Sequence, residues 1–577
     1  MQSLVHDRRA FMGYFTSLGL GTTLLPGILW GQVATGADIT SESIACAAEL
    51  AGLEFDQAER EMMVDGLKQQ ARRIEALHAI PLANSVAPAI VFDPRPLHAP
   101  LATALPAASP PMRRSPVTVP RVPASLEELA FAPVTVLSEL IRTKRVTSEQ
   151  LTRMYLSRLE RLDPKLECVV SLTTDRALRQ AREMDAELAR GNYRGSLHGI
   201  PWGAKDLLAT KGYRTTWGAG PYRDQTIDED AAVVQRLDAA GAVLIAKLTL
   251  GELAQGDRWY GGQTKNPWKL DQGSSGSSAG PASATAAGLV GFSIGSETLG
   301  SISSPSTRCG TTGLRPSFGR VPKTGAMALS WTMDKLGPIC RSAEDCALVL
   351  DAIHGPDGLD KSCIAAPFTW DATIRLQALR IGYVKAAFDL PVIDPDNAER
   401  QLHPTKPFDD AALAVLRAQG ARLIPVELPD IEYDAMRIIL TAEAAAAFDD
   451  LTRSNRDAEL VQQGRFDWSN TFRTARFIPA VDYINANRVR TTAIERWDTL
   501  FRDLDVIVTP TGASGLSQLV ATNLTGHPAV ILPHGFREDG TPVSLTFLGK
   551  LFGERELLAA AHAYQSATDW HLRHPTL

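Results

Sequence analysis

The sequence predicts an α/β protein in which helices cover a sheet, with a small helical appendage at the N-terminus. Three observations lead there. Short buried runs of aliphatic and β-branched residues alternate with helix starts marked by capping residues. The 577-residue length accommodates one large domain with attachments. A content of 44% hydrophobic and 21% charged residues is ordinary for a folded chain and excludes wholesale disorder.

Taken in chain order, the first element is residues 1–36. Arg8-Arg9 precedes a moderately apolar run from Gly13 to Trp30, the order of a twin-arginine export signal, with Ala34-Thr35-Gly36 as a candidate cleavage region. Glycines, threonines and Pro26 interrupt the run, which argues against a retained membrane anchor. An exported, periplasmic protein is therefore expected, with a cytoplasmic location as the alternative.

Residues 37–93 form the helical appendage, because Ile44, Leu50, Leu53, Phe55, Met62, Met63 and Leu67 recur between charged faces. Residues 94–124 read as a linker or extended arm: nine prolines fall among the thirty residues from Pro94 to Pro123. The main domain, 125–577, opens at Ser125-Leu126-Glu127-Glu128, which has capping-box order, and Thr147-Ser148-Glu149-Gln150 offers a second helix start. Ala231–Ala240 reads as a helix, and 242–246 (AVLIA), 380–384 (RIGYV) and 505–511 (DVIVTPT) read as strands.

A net charge of −6 leaves no basic footprint, so nucleic acid is not the expected partner. Six cysteines, Cys46, Cys168, Cys309, Cys340, Cys346 and Cys363, are dispersed without a C-x-x-C pair, and no H-E-x-x-H occurs. Neither a disulfide scaffold nor a metal site is expected.

The chemistry concentrates where hydroxyls do: eleven serines lie between Ser274 and Ser306. A serine attacks only with a base in reach and donors for the oxyanion. Gly276-Ser277-Ser278-Ala279-Gly280 fits the G-x-S-x-G elbow with Ser278 attacking and His527 or His562 completing a triad, but the upstream Asn266–Gln272 reads as a polar loop rather than the buried strand an elbow requires. Lys323-Thr324-Gly325 would suit an S-x-x-K enzyme, yet no serine has a lysine three residues later.

A different arrangement is carried by several motifs in order. The chain reads Gly276-Ser277-Ser278-Ala279-Gly280-Pro281, then the alanine-rich ASATAAGLVGFSIG, Ser296-Glu297-Thr298-Leu299-Gly300-Ser301-Ile302, and Cys309-Gly310 through Gly313-Leu314-Arg315-Pro316. Upstream lies Gly199-Ile200-Pro201-Trp202-Gly203-Ala204-Lys205-Asp206, and downstream Asn523-Leu524-Thr525-Gly526-His527-Pro528. Over roughly Ser125 to the C-terminus this resembles the amidase signature family of C–N hydrolases.

The resemblance implies an amidase-signature-type central mixed sheet and a cofactor-free Ser-Ser-Lys mechanism. It makes Lys205 the base, Ser277 a relay preceded by a cis peptide bond, and Ser301 the nucleophile that forms an acyl-enzyme. Backbone N–H groups of Thr298, Leu299, Gly300 and Ser301 would meet the oxyanion, and Ser278 would support Lys205. Leu299 stands where a glycine is usual and Ser303 where an arginine commonly follows, so the chain departs from the family pattern at the expected oxyanion turn. Lys205 must be neutral near pH 7, and Asp206 is therefore expected to point away from it. Trp217, Trp259 and Tyr260 are candidate pocket residues, and His198 is expected to be structural.

The leading expectation is an amidase acting on a small-molecule carboxamide, without stable membrane insertion once the signal is removed and with its oligomeric state open. The alternatives are a glutamine-hydrolysing subunit of a tRNA-dependent amidotransferase, a serine esterase using Ser278, and an inactive scaffold.

Overall fold

The computed structural model describes residues 38–51, 53–81, 90, 112–119, 121–512 and 517–577. The expected export segment 1–36, and residues 94–111 and 120 of the expected linker, lie outside the described residues. The chain divides into two compact units, Met1–Val91 with Ile431–Thr492, and Phe92–Asp430 with Ala493–Leu577.

The second unit is built on an eleven-stranded mixed sheet. Its strands in chain order are β1 (Val169–Leu172), β2 (Pro201–Lys205), β3 (Val243–Leu248), β4 (Phe292–Glu297), β5 (Thr312–Arg315), β6 (Lys335–Cys340), β7 (Ile381–Val384), β8 (Leu423–Val426), β9 (Val506–Pro510), β10 (Ala529–Phe536) and β11 (Pro542–Gly549). Across the sheet they run β1-β3-β2-β4-β6-β5-β10-β11-β9-β7-β8. β2 pairs in parallel with both β3 and β4, and β7 with both β8 and β9, while the other neighbours are antiparallel. Strands flanked in parallel are covered on both faces, so they need unbroken apolar sequence rather than alternation. VLIAKL of β3 is buried at all six positions and PWGAK of β2 at all five.

The helix starts follow the local chemistry. Thr147 Oγ1 accepts from Gln150 N at 3.0 Å and Gln150 Oε1 accepts from Thr147 N at 2.9 Å, closing a capping box ahead of the helix Ser148–Leu166. Ser125 behaves differently: its hydroxyl takes the Glu127 N–H, and Leu126–Leu129 stays a single 3-10 turn. Pro133 sets the entry to a separate helix, Val134–Arg142, so the first start cannot extend.

The first unit joins the expected N-terminal helical segment to residues 431–492. The helices Ser41–Ala51 and Gln57–His78 share one apolar core, Ile39, Ile44, Ala47, Ala48, Met63 and Leu67, with Phe477 from the distant segment Ile431–Thr492. Two short helices cannot bury enough surface alone. Arg473 ties the helix Gln57–His78 to this segment with charge, reaching Glu59 at 2.9 Å and Asp457 at 2.7 Å. Residues 431–492, expected within the 125–577 domain, therefore pack in the first unit. Among the described residues no helix is long and apolar enough to cross a membrane.

Candidate active site

β2 delivers Lys205 at its C-terminal end, the edge where parallel strands commonly present ligand sites. The parallel register sets Ala204 beside Ile294 of β4, which places Ser296 within reach of the lysine. Lys205 is fully buried, and its Nζ bonds three hydroxyls: Ser277 at 2.8 Å, Ser296 at 2.9 Å and Ser278 at 3.1 Å. Burial drives its pKa well below the usual lysine value, against the opposing pull of Asp334 and Glu297. Such a shift favours the neutral amine, the form that can accept a proton.

Asp206 faces elsewhere, as its neighbour requires. Its Oδ2 accepts from Thr216 N at 2.8 Å and Thr216 Oγ1 at 2.5 Å, and its Oδ1 lies 2.9 Å from the buried Lys247 Nζ. His198 bonds the Met184 carbonyl at 3.0 Å, a position inside the core.

The Gly276–Ser277 peptide bond is cis. Ser278 caps the helix Ala279–Ala286, donates its hydroxyl to the Ser296 carbonyl at 3.0 Å and accepts from Ser296 N at 3.1 Å. The strand that precedes it, Lys269–Gly273, belongs to a separate two-stranded sheet, and the Ser278 hydroxyl bonds no histidine among the described residues. That is not the geometry of a G-x-S-x-G elbow.

Ser301 lies in the turn that leaves β4. Its carbonyl accepts from Ser278 N at 3.0 Å, which joins this turn to the relay segment. No hydrogen bond links Ser277 Oγ to Ser301 Oγ among the described residues. Gly300 takes the positive φ of +95°, and Leu299 keeps a negative one, so the side chain at 299 is accommodated because its neighbour turns the chain. The N–H groups of Leu299, Gly300 and Ser301 make no hydrogen bond among the described residues, leaving three consecutive donors.

Beneath the turn sits Glu297, a residue to which sequence reasoning assigned no role. Its Oε2 accepts from Ile302 N at 2.9 Å, Ser303 N at 2.8 Å and Ser303 Oγ at 2.8 Å, while Oε1 accepts from Arg315 at 2.8 Å and Asn523 at 2.8 Å. Burial alone would raise its pKa. The Arg315 charge and the hydrogen bonds from Arg315, Asn523 and Ser303 outweigh it and hold the carboxyl at about 2. Ser303, at the position where arginine was expected, completes this carboxylate's shell.

A cavity of about 260 Å³ opens beside Ser296 and Thr298, walled by Leu207, Met327, Leu329 and the half-exposed Trp331. Asp334 joins its wall to the turn, accepting from Thr298 Oγ1 at 2.6 Å and from the N–H groups of Leu329 and Ser330 at 2.8 and 3.0 Å. A second cavity of about 310 Å³ is bounded by Ser275, Ser303 and Ser304. Trp217, Trp259 and Tyr260 line neither. The Trp217 ring packs on Tyr222 at 4.6 Å and Trp259 packs edge-on to Tyr260 at 4.8 Å, so these rings contact one another instead.

This fold and this cluster of a buried lysine and serines beside a donor-bearing turn define an amidase-type C–N hydrolase. The chain belongs to the amidase signature family: a family model described as Amidase matches residues 150–518. It is similar to two proteins named as the A subunit of glutamyl-tRNA(Gln) amidotransferase. That of Geotalea daltonii is 32% identical over 76% of this chain and 98% of its own length, and that of Methylococcus capsulatus 35% identical over 75% and 96%. Among solved structures it resembles the native peptide amidase of Stenotrophomonas maltophilia, with a TM-score of 0.67, 30% identity, and coverage of 78% of this chain and 99% of that one.

Proposed function

We propose that this protein hydrolyses a carboxamide C–N bond through an acyl-enzyme on Ser301. The observation that carries the reading is the 2.8 Å bond between Lys205 Nζ and Ser277 Oγ in a site closed to solvent. Neutral Lys205 takes the Ser277 proton as Ser277 takes that of Ser301, and Ser301 Oγ adds to the carbonyl carbon. The tetrahedral oxyanion is met by the free N–H groups of the turn. Collapse expels the amine, which receives the proton back through Ser277, and water then releases the carboxylic acid by the same relay. This relay requires the Ser277 Oγ–Ser301 Oγ hydrogen bond to form in the substrate complex, where catalytic hydrogen bonds often tighten. The apolar cavity beside Thr298 suits an aliphatic or aromatic group on the substrate.

A fluorophosphonate probe followed by peptide mapping tests this. An adduct on Ser301 supports the relay, an adduct on Ser278 supports the esterase alternative, and absence of labelling with turnover of no amide supports a non-catalytic protein.

A second reading, a glutamine-hydrolysing subunit of an amidotransferase, is favoured by the names of the relatives. It requires co-purifying partner chains and tRNA-dependent transfer of ammonia, and a protein that hydrolyses amides alone at full rate speaks against it. Export through the Arg8-Arg9 signal belongs to the first reading, and cell fractionation of the full chain tests it.

A further inference from the structure

The segment 296–304 contributes to both cavities, Ser296 and Thr298 to the first and Ser303 and Ser304 to the second. Their chemistry differs. The first is mainly apolar, and its cation Lys323 is already paired with Asp360 at 3.3 Å. The second is bounded by Arg308, Arg315 and Arg537, with no Asp or Glu among its described lining residues. The four residues between Gly512 and Ser517 are Ala-Ser-Gly-Leu and add no acid to the sequence there.

Of the three arginines only Arg315 is committed, to Glu297 at 2.8 Å, the Thr522 hydroxyl at 2.8 Å and the His527 carbonyl at 3.0 Å. Arg308 and Arg537 form no ion pair among the described residues. Arg308 reaches the Gly273 carbonyl at 3.5 Å, and Arg537 uses Nη1 alone, on the Pro542 carbonyl at 2.8 Å and the Thr541 hydroxyl at 3.5 Å. Burial lowers the Arg537 pKa, Asp539 pulls it back, and the Arg308 charge adds a smaller lowering. Two guanidinium groups left facing one cavity without a carboxylate are an arrangement an anion relieves. The hydroxyls of Ser275 and Ser304, which make no hydrogen bond among the described residues, add neutral donors.

The position gives this a function. Ser275 precedes the proposed relay Ser277 by two residues, and Ser303 and Ser304 follow Ser301 by two and three, so the cavity is bounded by residues that flank the proposed relay and nucleophile in the chain. We infer that the second cavity receives a carboxylate borne by the amide substrate, bound by Arg308 and Arg537. The inference rests on the proposed role of Ser301. It narrows the substrate to an amide with an apolar group on one side and an anionic group on the other, within a chain whose net charge of −6 would otherwise repel it.

Isothermal titration with N-benzoylglycine, its methyl ester and inorganic phosphate, on the wild-type chain and on Arg308→Gln/Arg537→Gln, decides the matter. Both arginines are exposed, so the double variant is expected to keep its melting temperature. The carboxylate is expected to bind the wild type at least tenfold more tightly than the ester or phosphate does, the double variant to lose that preference, and N-benzoylglycine to slow fluorophosphonate labelling of Ser301. Equal binding of carboxylate and ester, phosphate binding as tight as carboxylate, binding undiminished in the double variant, or binding that leaves the labelling rate unchanged would each overturn the inference. If Ser301 takes no label even without ligand, the catalytic reading fails, while the titration still decides whether the cavity is a carboxylate site.

Discussion

Lys205 Nζ and Ser277 Oγ stand 2.8 Å apart with both residues completely withdrawn from solvent. A lysine so placed holds its proton weakly, and the direction of that effect makes the proposed relay measurable.

Labelling of Ser301 should rise with pH through the pKa of Lys205 and reach a plateau below the ordinary lysine value of 10.5, because burial lowers that pKa. Lys205→Met should reduce the labelling rate by roughly 10²- to 10⁴-fold and abolish the pH dependence. A variant that labels like the wild type removes Lys205 from the mechanism.

Lys247 neutralises Asp206 directly behind the base, at 2.9 Å. Lys247→Met leaves the Asp206 carboxylate uncompensated, which favours the Lys205 ammonium. The acid limb of the pH–labelling profile should therefore move to higher pH, and Asp206→Asn added to Lys247→Met should move it back. A limb that stays in place in the single variant shows that Asp206 does not act on the site.

Glu297 contributes stability that depends on pH. Its folded pKa of about 2 lies below the ordinary 4.5, so the contribution is complete above pH 4.5 and is lost as pH falls toward 2. The difference corresponds to about 3 kcal/mol. Urea unfolding of Glu297→Gln should show the deficit at pH 7 and a shallower dependence between pH 5 and 3. Parallel curves for the two proteins would refute the assignment.

Gly300→Ala places a side chain at φ +95°, with its Cβ 3.1 Å from Ser304 Oγ and 3.2 Å from Leu519 Cδ2. A cost on the order of 1–3 kcal/mol is expected. Because the strain falls on the turn, the labelling rate of Ser301 should drop by more than the melting temperature indicates. Full labelling with lowered stability would separate the turn from the oxyanion.

Phe477→Ala should loosen the first unit by about 3–5 kcal/mol, the usual result of emptying a buried aromatic site. Hydrogen exchange should accelerate in Ser41–Ala51 and Gln57–His78, far away in sequence, as well as around residue 477. Acceleration confined to the neighbourhood of Phe477 would contradict the shared core.

The legible parts of the site were those compressed into short motifs. Lys205 sits in the run Gly199 to Asp206, and Ser277, Ser278 and Ser301 occur in glycine-bearing segments whose order is visible along the chain. Ser296 as the lysine's third partner was not legible, because it follows from the parallel register of β2 against β4. Nor was the Glu297 shell, since Asn523 stands 226 positions away. Aromatic identity says nothing about which ring faces a cavity: Trp217 packs on Tyr222 and Trp259 on Tyr260. The alternation of strands and helices conveyed the α/β class. The pairing of N-terminal helices with residues 431–492 left no local mark, because the two partners lie more than 350 residues apart in the sequence.

That pairing also sets a timetable for synthesis. Met63 and Leu67 leave the ribosome some 400 residues before Phe477, which at typical elongation rates is a delay of about 20 to 80 s. Throughout that interval the helices Ser41–Ala51 and Gln57–His78 lack the Phe477 part of their shared core. Among the described residues the first-made helices are thus among the last to mature.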